Sequence, residues 1–184
     1  MTRRRVVALA PLLLMIALPG AARSQEPAPP TPGPEHDALH QLQGGWEVQV
    51  GDDVVGTATG RPRLDGRFLE VELTLNEGPI RHALYTFGFD RRHDEYTVVA
   101  MDDTGTYFVT AKGAREGDRV AMYGQDDEPV MTAMGFEKEF VIVLRWYSDN
   151  RIGIETLFID TRTPARTEMP FIEFVLERGE ELPD

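Results

Sequence analysis

"EHDALHQLQGGWEV", residues Glu35 to Val48, is where the fold begins. Two histidines stand four apart, His36 and His40, so a helix would project both from one face. Gly44-Gly45-Trp46 follows at once, and Trp46 is one of two tryptophans in the chain. Two readings compete: a zinc pair on a helix, or a short helix leading into a glycine-flanked first strand. Zinc needs three or four ligands. The chain has four histidines and no cysteine, and no further cluster completes the set. The expectation is therefore no metal: a capping helix with Leu39 and Leu42 over one end of the fold, its histidines toward solvent. The acidic pairs Asp52-Asp53 and Asp102-Asp103, and the run Asp126-Asp127-Glu128, lack the spacing of a calcium loop and read as solvated turns.

From Trp46 onward, short runs rich in Val, Ile, Phe, Tyr and Thr alternate with turn clusters. Ten strands are expected: Trp46–Val50, Val54–Leu64, Arg67–Leu75, Ile80–Phe89, Glu95–Met101, Thr106–Gly113, Arg119–Gly124, Phe136–Tyr147, Ile152–Ile159 and Met169–Arg178. Asp65-Gly66 marks a tight hairpin, and the other connections are short and polar. No sustained helical period follows Trp46. Sequential strands with short turns favour an up-and-down antiparallel meander, and a long meander closes into a barrel because closure removes exposed edges. The fold class is all-β: a lipocalin-like barrel of about ten strands behind a short N-terminal capping helix.

Alternation assigns the faces. Leu69, Val71, Leu73 and Leu75 share one side of their strand, with Glu70 and Glu72 on the other. Glu137 and Glu139 mark an outer face, which leaves Phe140, Ile142, Leu144 and Trp146 inside; Ile172, Phe174 and Leu176 likewise share a face. The lumen is apolar and aromatic, which suits a packed core or a pocket for an apolar ligand. If Arg81 faces water, His82 points inward with Ile80, Leu84 and Thr86, leaving Tyr85, Phe87 and Phe89 outside. An inward imidazole near Tyr96 or Tyr107 could orient a ligand or act as a base. The candidate ligand-lining residues are thus His82, Tyr96, Tyr107, Phe140 and Trp146, with no catalytic residue assigned. Arg145 and Glu155 are expected to pair across the outer face.

Gly44-Gly45-Trp46 after a helix, with Arg178 at the far end in "FVLERG", resembles the calycin superfamily of lipocalin-like barrels. The resemblance implies barrel closure by Trp46 and Arg178, an indole under a guanidinium, an attraction of about 0.5–2 kcal/mol. "PEHDALHQLQGGWEV", "LDGRFLEVE", "YTFGFDRRHDEYTVVAMDD" and "FIEFVLER" are together similar to a family of small bacterial proteins known as a domain of unknown function, number fifteen-seventy-nine. The likeness runs from Pro34 to Arg178 and implies a calycin-like barrel with no agreed activity. Haem-binding barrels with a similar entry use a late histidine. Here the last is His93, so haem is not expected, nor any other cofactor.

Three arginines, an apolar run from Val6 to Leu18 and then small residues give residues 1–24 the order of a signal peptide, cut after Ser24 or Ala22. The run is shorter than the roughly 20 residues a membrane span needs. Residues 25–34 read as a proline-rich linker and 35–184 as the barrel domain. With no cysteine there is neither a disulfide framework nor a lipid-anchored thiol. Removing residues 1–24 takes away four arginines and no acid, so the formal charge of −12 falls to −16. So acidic a body repels nucleic acid and anionic surfaces. The expectation is an exported barrel, periplasmic or extracellular and without a stable membrane anchor, whose partner is a small apolar or amphipathic molecule in the lumen. Two alternatives stay open: a barrel enzyme of isomerase or hydratase type built on His82, or an envelope interaction module with an apolar patch around Tyr85, Phe87 and Phe89.

Overall fold

Helix α1, Pro34–His40, opens the fold in the computed structural model, which describes residues 31–105, 108–125, 139–160 and 165–178. The expected signal peptide and most of the linker lie outside the described residues, as does Tyr107. Pro34, the last residue assigned to the linker, begins the helix, where its missing N–H has no role to fill. The turn is set by His36 N–H donating to the Gly33 carbonyl, 2.8 Å, and by Gly33 N–H donating to His36 Nδ1, 3.2 Å. Glu35 and Asp37 in the first turn complement the helix dipole. Seven residues cannot hold a helix in water. Packing does so here, through buried Ala38 and Leu39, with Leu42 just beyond. Residues 36, 39 and 40 share a helical face, so the face that buries Leu39 takes the histidines with it. This corrects the expectation of solvent-facing histidines: His36 is buried, and His40 is half-buried with Nε2 2.9 Å from the Gly66 carbonyl.

Among the described residues ten strands follow: β1 Gly44–Val50, β2 Asp53–Arg63, β3 Phe68–Leu75, β4 His82–Asp90, β5 Glu95–Asp102, β6 Val109–Glu116, β7 Arg119–Gln125, β8 Glu139–Ser148, β9 Arg151–Asp160 and β10 Thr167–Glu177. Each pairs antiparallel with its neighbours in sequence, and β1 pairs with β10 to close the barrel. Closure rests on Glu47↔Glu177, Val48↔Leu176 and Gln49↔Val175, with Gln49 Nε2 donating to Glu177 Oε2 at 2.6 Å. The all-β, up-and-down architecture is the one expected from the strand pattern.

On β3, Leu69, Val71, Leu73 and Leu75 are buried in the lumen, while Glu70 and Glu72 face out and pair with Arg63 and Arg61 of β2. Trp46 and Val48 of β1 and Phe140, Ile142 and Leu144 of β8 join them inside. On β3 the outer face is thus charged and the lumen face apolar. Among the described residues no helix is long and apolar enough to cross a membrane. A second apolar cluster, Ala121, Val141, Val143, Leu157 and Ile159, lies on the opposite face of β7, β8 and β9.

The faces of β4 are opposite to those expected. Its register sets Ala83 against Leu73, Tyr85 against Val71 and Phe87 against Leu69. Directly opposed residues share a face, and the β3 partners are all in the lumen. Ala83, Tyr85 and Phe87 therefore point inward, and His82 sits exposed on the outside. The strand begins at His82, and the Arg81 carbonyl instead accepts from Leu75 N–H, 2.8 Å, in the preceding turn. Counting alternation from Arg81 thus started before the strand did. Apolar burial decides the outcome, because two large aromatic rings gain more in the lumen than one imidazole.

Candidate functional site

The two ends of the barrel are built differently. At one end α1 and the α1–β1 connection form a floor. Trp46 is buried, and its indole N–H donates to the Leu42 carbonyl at 2.9 Å. Arg178 lies across it, Cζ 4.3 Å from the ring centre, and Nη2 donates to the carbonyls of Gln41, 3.2 Å, and Gln43, 2.9 Å. Gly44 carries the chain into β1 at a φ of +108°, a backbone conformation that side-chain-bearing residues rarely adopt. Gly60 of β2 lies under the connection, where a side chain would overlap the Leu42 carbonyl.

The floor also takes up several residues expected to line a site. Tyr96 is buried, its ring edge-on to Phe89 at 4.9 Å, and its hydroxyl donates to the Glu35 carbonyl of α1 at 3.3 Å. Burial pushes the Tyr96 phenol up, with Arg115 pulling the other way. Trp146 lies near the end of β8 with Arg115 over its ring at 5.3 Å; among the described residues its buried indole N–H has no partner. His36 stands edge-on to Phe89 at 6.1 Å. Burial first, and then the Arg91 charge, hold its imidazole below the ordinary 6.5. Each histidine of the α1 pair is bound to a backbone group, and no cluster of three metal-ligating side chains occurs among the described residues.

The other end is hollow. A cavity of about 420 Å³ opens there, between the start of β4, the end of β5 and the start of β6 on one side and β8, β9 and β10 on the other. Its wall is mostly apolar: Phe140, Ile142, Phe158, Phe171, Ile172 and Phe174 carry the β8–β10 side. Phe158 and Phe171 meet edge to face at the mouth, 4.9 Å apart. Polar groups are few: the hydroxyls of Tyr85, Thr104 and Thr156, and the Asp102 carboxylate. Tyr85 is 7% exposed and stacks on Phe87 with the ring planes 3° apart. Its phenol is held well above the usual range, by burial first and then by the Asp102 charge.

Of the sequence candidates, Phe140 lines this cavity. His82 is exposed outside the barrel, so a lumen enzyme using His82 has lost its base. Tyr85 and Phe87 are buried, so the apolar surface patch expected around them is instead part of the lumen. Tyr96 and Trp146 belong to the floor, and Tyr107 lies outside the described residues. The β4 register brings in Tyr85, and β5 brings in Asp102. Their signal in the sequence was the pairing of β4 with β3, which alternation within β4 alone could not supply.

Fold and site define a class: a ten-stranded meander barrel with a Trp–Arg stack at one end and an apolar cavity at the other. The family described as "Protein of unknown function (DUF1579)" matches residues 31–178, and the chain belongs to that family. No curated protein matches the chain. Among solved structures it is similar to a redesigned beta barrel, at 14% identity and a TM-score of 0.35, over 78% of this chain and 96% of that one. The barrel assignment rests on the strand pairing itself.

Proposed function

We propose that this is an exported carrier or sequestering barrel that holds one small apolar or amphipathic molecule in its lumen. The observation that carries the reading is the cavity of about 420 Å³ walled by aromatic and aliphatic side chains. That volume falls within the roughly 300–1,000 Å³ of small-molecule sites, which are concave and mostly apolar with a few placed polar groups. An apolar wall open to water gains when an apolar occupant displaces that water, by about 25 cal/mol per Å² buried. Export is proposed from the charged, apolar and small-residue order of residues 1–24.

The test is direct. The protein is purified from its own cells, its intact mass is measured under native conditions, and it is titrated with the neutral fluorophore N-phenylnaphthylamine. The reading expects a retained small molecule, or saturable uptake of one fluorophore per chain, on a polypeptide shortened by the signal segment. The absence of both a retained mass and saturable uptake would overturn lumen binding. A full-length chain confined to the cytoplasm would overturn export.

A further inference from the structure

The few polar groups of the cavity restrict what can sit there. Ala83 pairs with Asp102 and Tyr85 with Ala100, so Tyr85 and Asp102 are diagonal neighbours on the lumen face of β4 and β5. Diagonal side chains on one face reach each other across about 7–8 Å of backbone separation. Tyr85 is more than nine-tenths buried, lines the cavity, and has no hydrogen-bond partner for its hydroxyl among the described residues. The Asp102 carboxylate is held by the Thr104 N–H at 2.8 Å and the Thr104 hydroxyl at 2.5 Å, both on Oδ1. No described residue bonds Oδ2. No lysine, arginine or histidine is among the described residues of the wall. The nearest cation in sequence, Arg81, spends its guanidinium on the Asn76 carbonyl and its N–H on Asp103 Oδ1, 3.0 Å.

We infer that the lumen takes a small apolar molecule ending in a hydroxyl or an amine, and discriminates against one ending in a carboxylate. This rests on the lumen-binding reading above. The Tyr85 hydroxyl is reachable from the cavity, so a ligand that displaces water from it must replace the hydrogen bond that the water made. A carboxylate accepts only, so it could satisfy Tyr85 solely by bringing a second negative charge toward Asp102, with no cation among the described residues of the wall to offset the pair. A hydroxyl accepts from Tyr85 and donates to Asp102. A protonated amine donates to both and neutralises the carboxylate.

Three probes share one apolar body: naphthylmethanol, naphthylmethylamine and naphthoate, each titrated calorimetrically into the full mature chain at neutral pH. The alcohol and the amine should bind about tenfold or more tightly than naphthoate, the difference one good hydrogen bond makes. Tyr85→Phe should weaken the alcohol by about tenfold, and Asp102→Asn should weaken the amine by at least that much. Naphthoate binding as tightly as the other two would overturn the head-group inference while leaving lumen binding intact. So would alcohol and amine affinities indifferent to both substitutions. Failure of all three probes, together with N-phenylnaphthylamine, would remove the lumen reading and this inference with it. The comparison on the unsubstituted protein needs no variant to fold.

Discussion

Arg178 is an exposed residue whose guanidinium both covers the Trp46 ring and donates to two carbonyls of the α1–β1 connection. The stack is worth about 0.5–2 kcal/mol and each bond about 0.5–1.5 kcal/mol, with solvent access favouring the low ends. Arg178→Ala should therefore lower unfolding free energy by about 1–2 kcal/mol in urea titrations. Arg178→Lys should recover little of it, because an ammonium cannot span two carbonyls and a ring together. The glycines give a sharper comparison at the same site. Gly60→Ala thrusts a methyl onto the Leu42 carbonyl and should cost about 1–3 kcal/mol. Gly45→Ala, with nothing within 4 Å of the new carbon, should be neutral within about 0.5 kcal/mol. Equal costs for the two substitutions would mean that the connection does not rest on β2. Of the Gly-Gly pair that heads the first strand, only Gly44 is held to its identity by the backbone.

The β9–β10 pair carries a like-charge mismatch on its outer face. Glu155 and Glu173 stand directly opposite each other, and opposed like charges destabilise a ladder. Arg145 reaches Glu155 only at 3.9 Å, across the diagonal, while Glu173 accepts from the Tyr147 hydroxyl at 2.5 Å. Burial, then Glu173, holds the Glu155 carboxyl above its ordinary 4.5, with Arg145 opposing. A carboxyl raised in the folded chain takes up its proton more readily there than when unfolded. The stability it contributes is complete below about pH 4.5 and is lost as pH rises through the folded value. Glu155→Gln should thus stabilise by about 0.2–1 kcal/mol at pH 7, with the advantage shrinking as pH falls toward 4.5. Urea midpoints at the two pH values decide it, and an advantage that grows on acidification sinks the idea. The same scale shows where the sequence was readable. On β3 the alternation of leucines and glutamates is unambiguous, and its faces are as expected. On β4 alternation alone fits either face, and only the pairing with β3 chooses one. On β8 the run Phe140–Leu144 is apolar throughout; Val141 and Val143 are buried on the outside as well, which the flanking glutamates concealed.

At the scale of the molecule, floor and mouth lie at opposite ends of the same strands. A ten-residue strand such as β9 rises on the order of 30 Å. The floor was legible because it depends on residue types: a tryptophan after glycines at one end of the chain and an arginine at the other. The cavity was not, because its volume is a small difference between the space a barrel encloses and the side chains filling it. Phe140 was placed on its wall by the strand pattern, whereas Tyr85 and Asp102 needed the register. This separation makes a prediction about independence. Sites this far apart, with no shared partner, should contribute additively. Ala100 lines the cavity but is also buried opposite Tyr85, so Ala100→Phe takes cavity space at some cost in packing. It should weaken N-phenylnaphthylamine by about tenfold or more, with stability lowered by no more than about 1–3 kcal/mol. Arg178→Ala should lose stability with fluorophore affinity held within about twofold, a difference of less than about 0.5 kcal/mol. The double variant should show both effects undiminished, read by urea unfolding and fluorescence titration on one preparation. If Arg178→Ala weakens the fluorophore tenfold, the floor is coupled to the cavity and the barrel does not act as a rigid cup. If Ala100→Phe leaves uptake intact, the fluorophore binds elsewhere, and the cavity loses its claim to be the site.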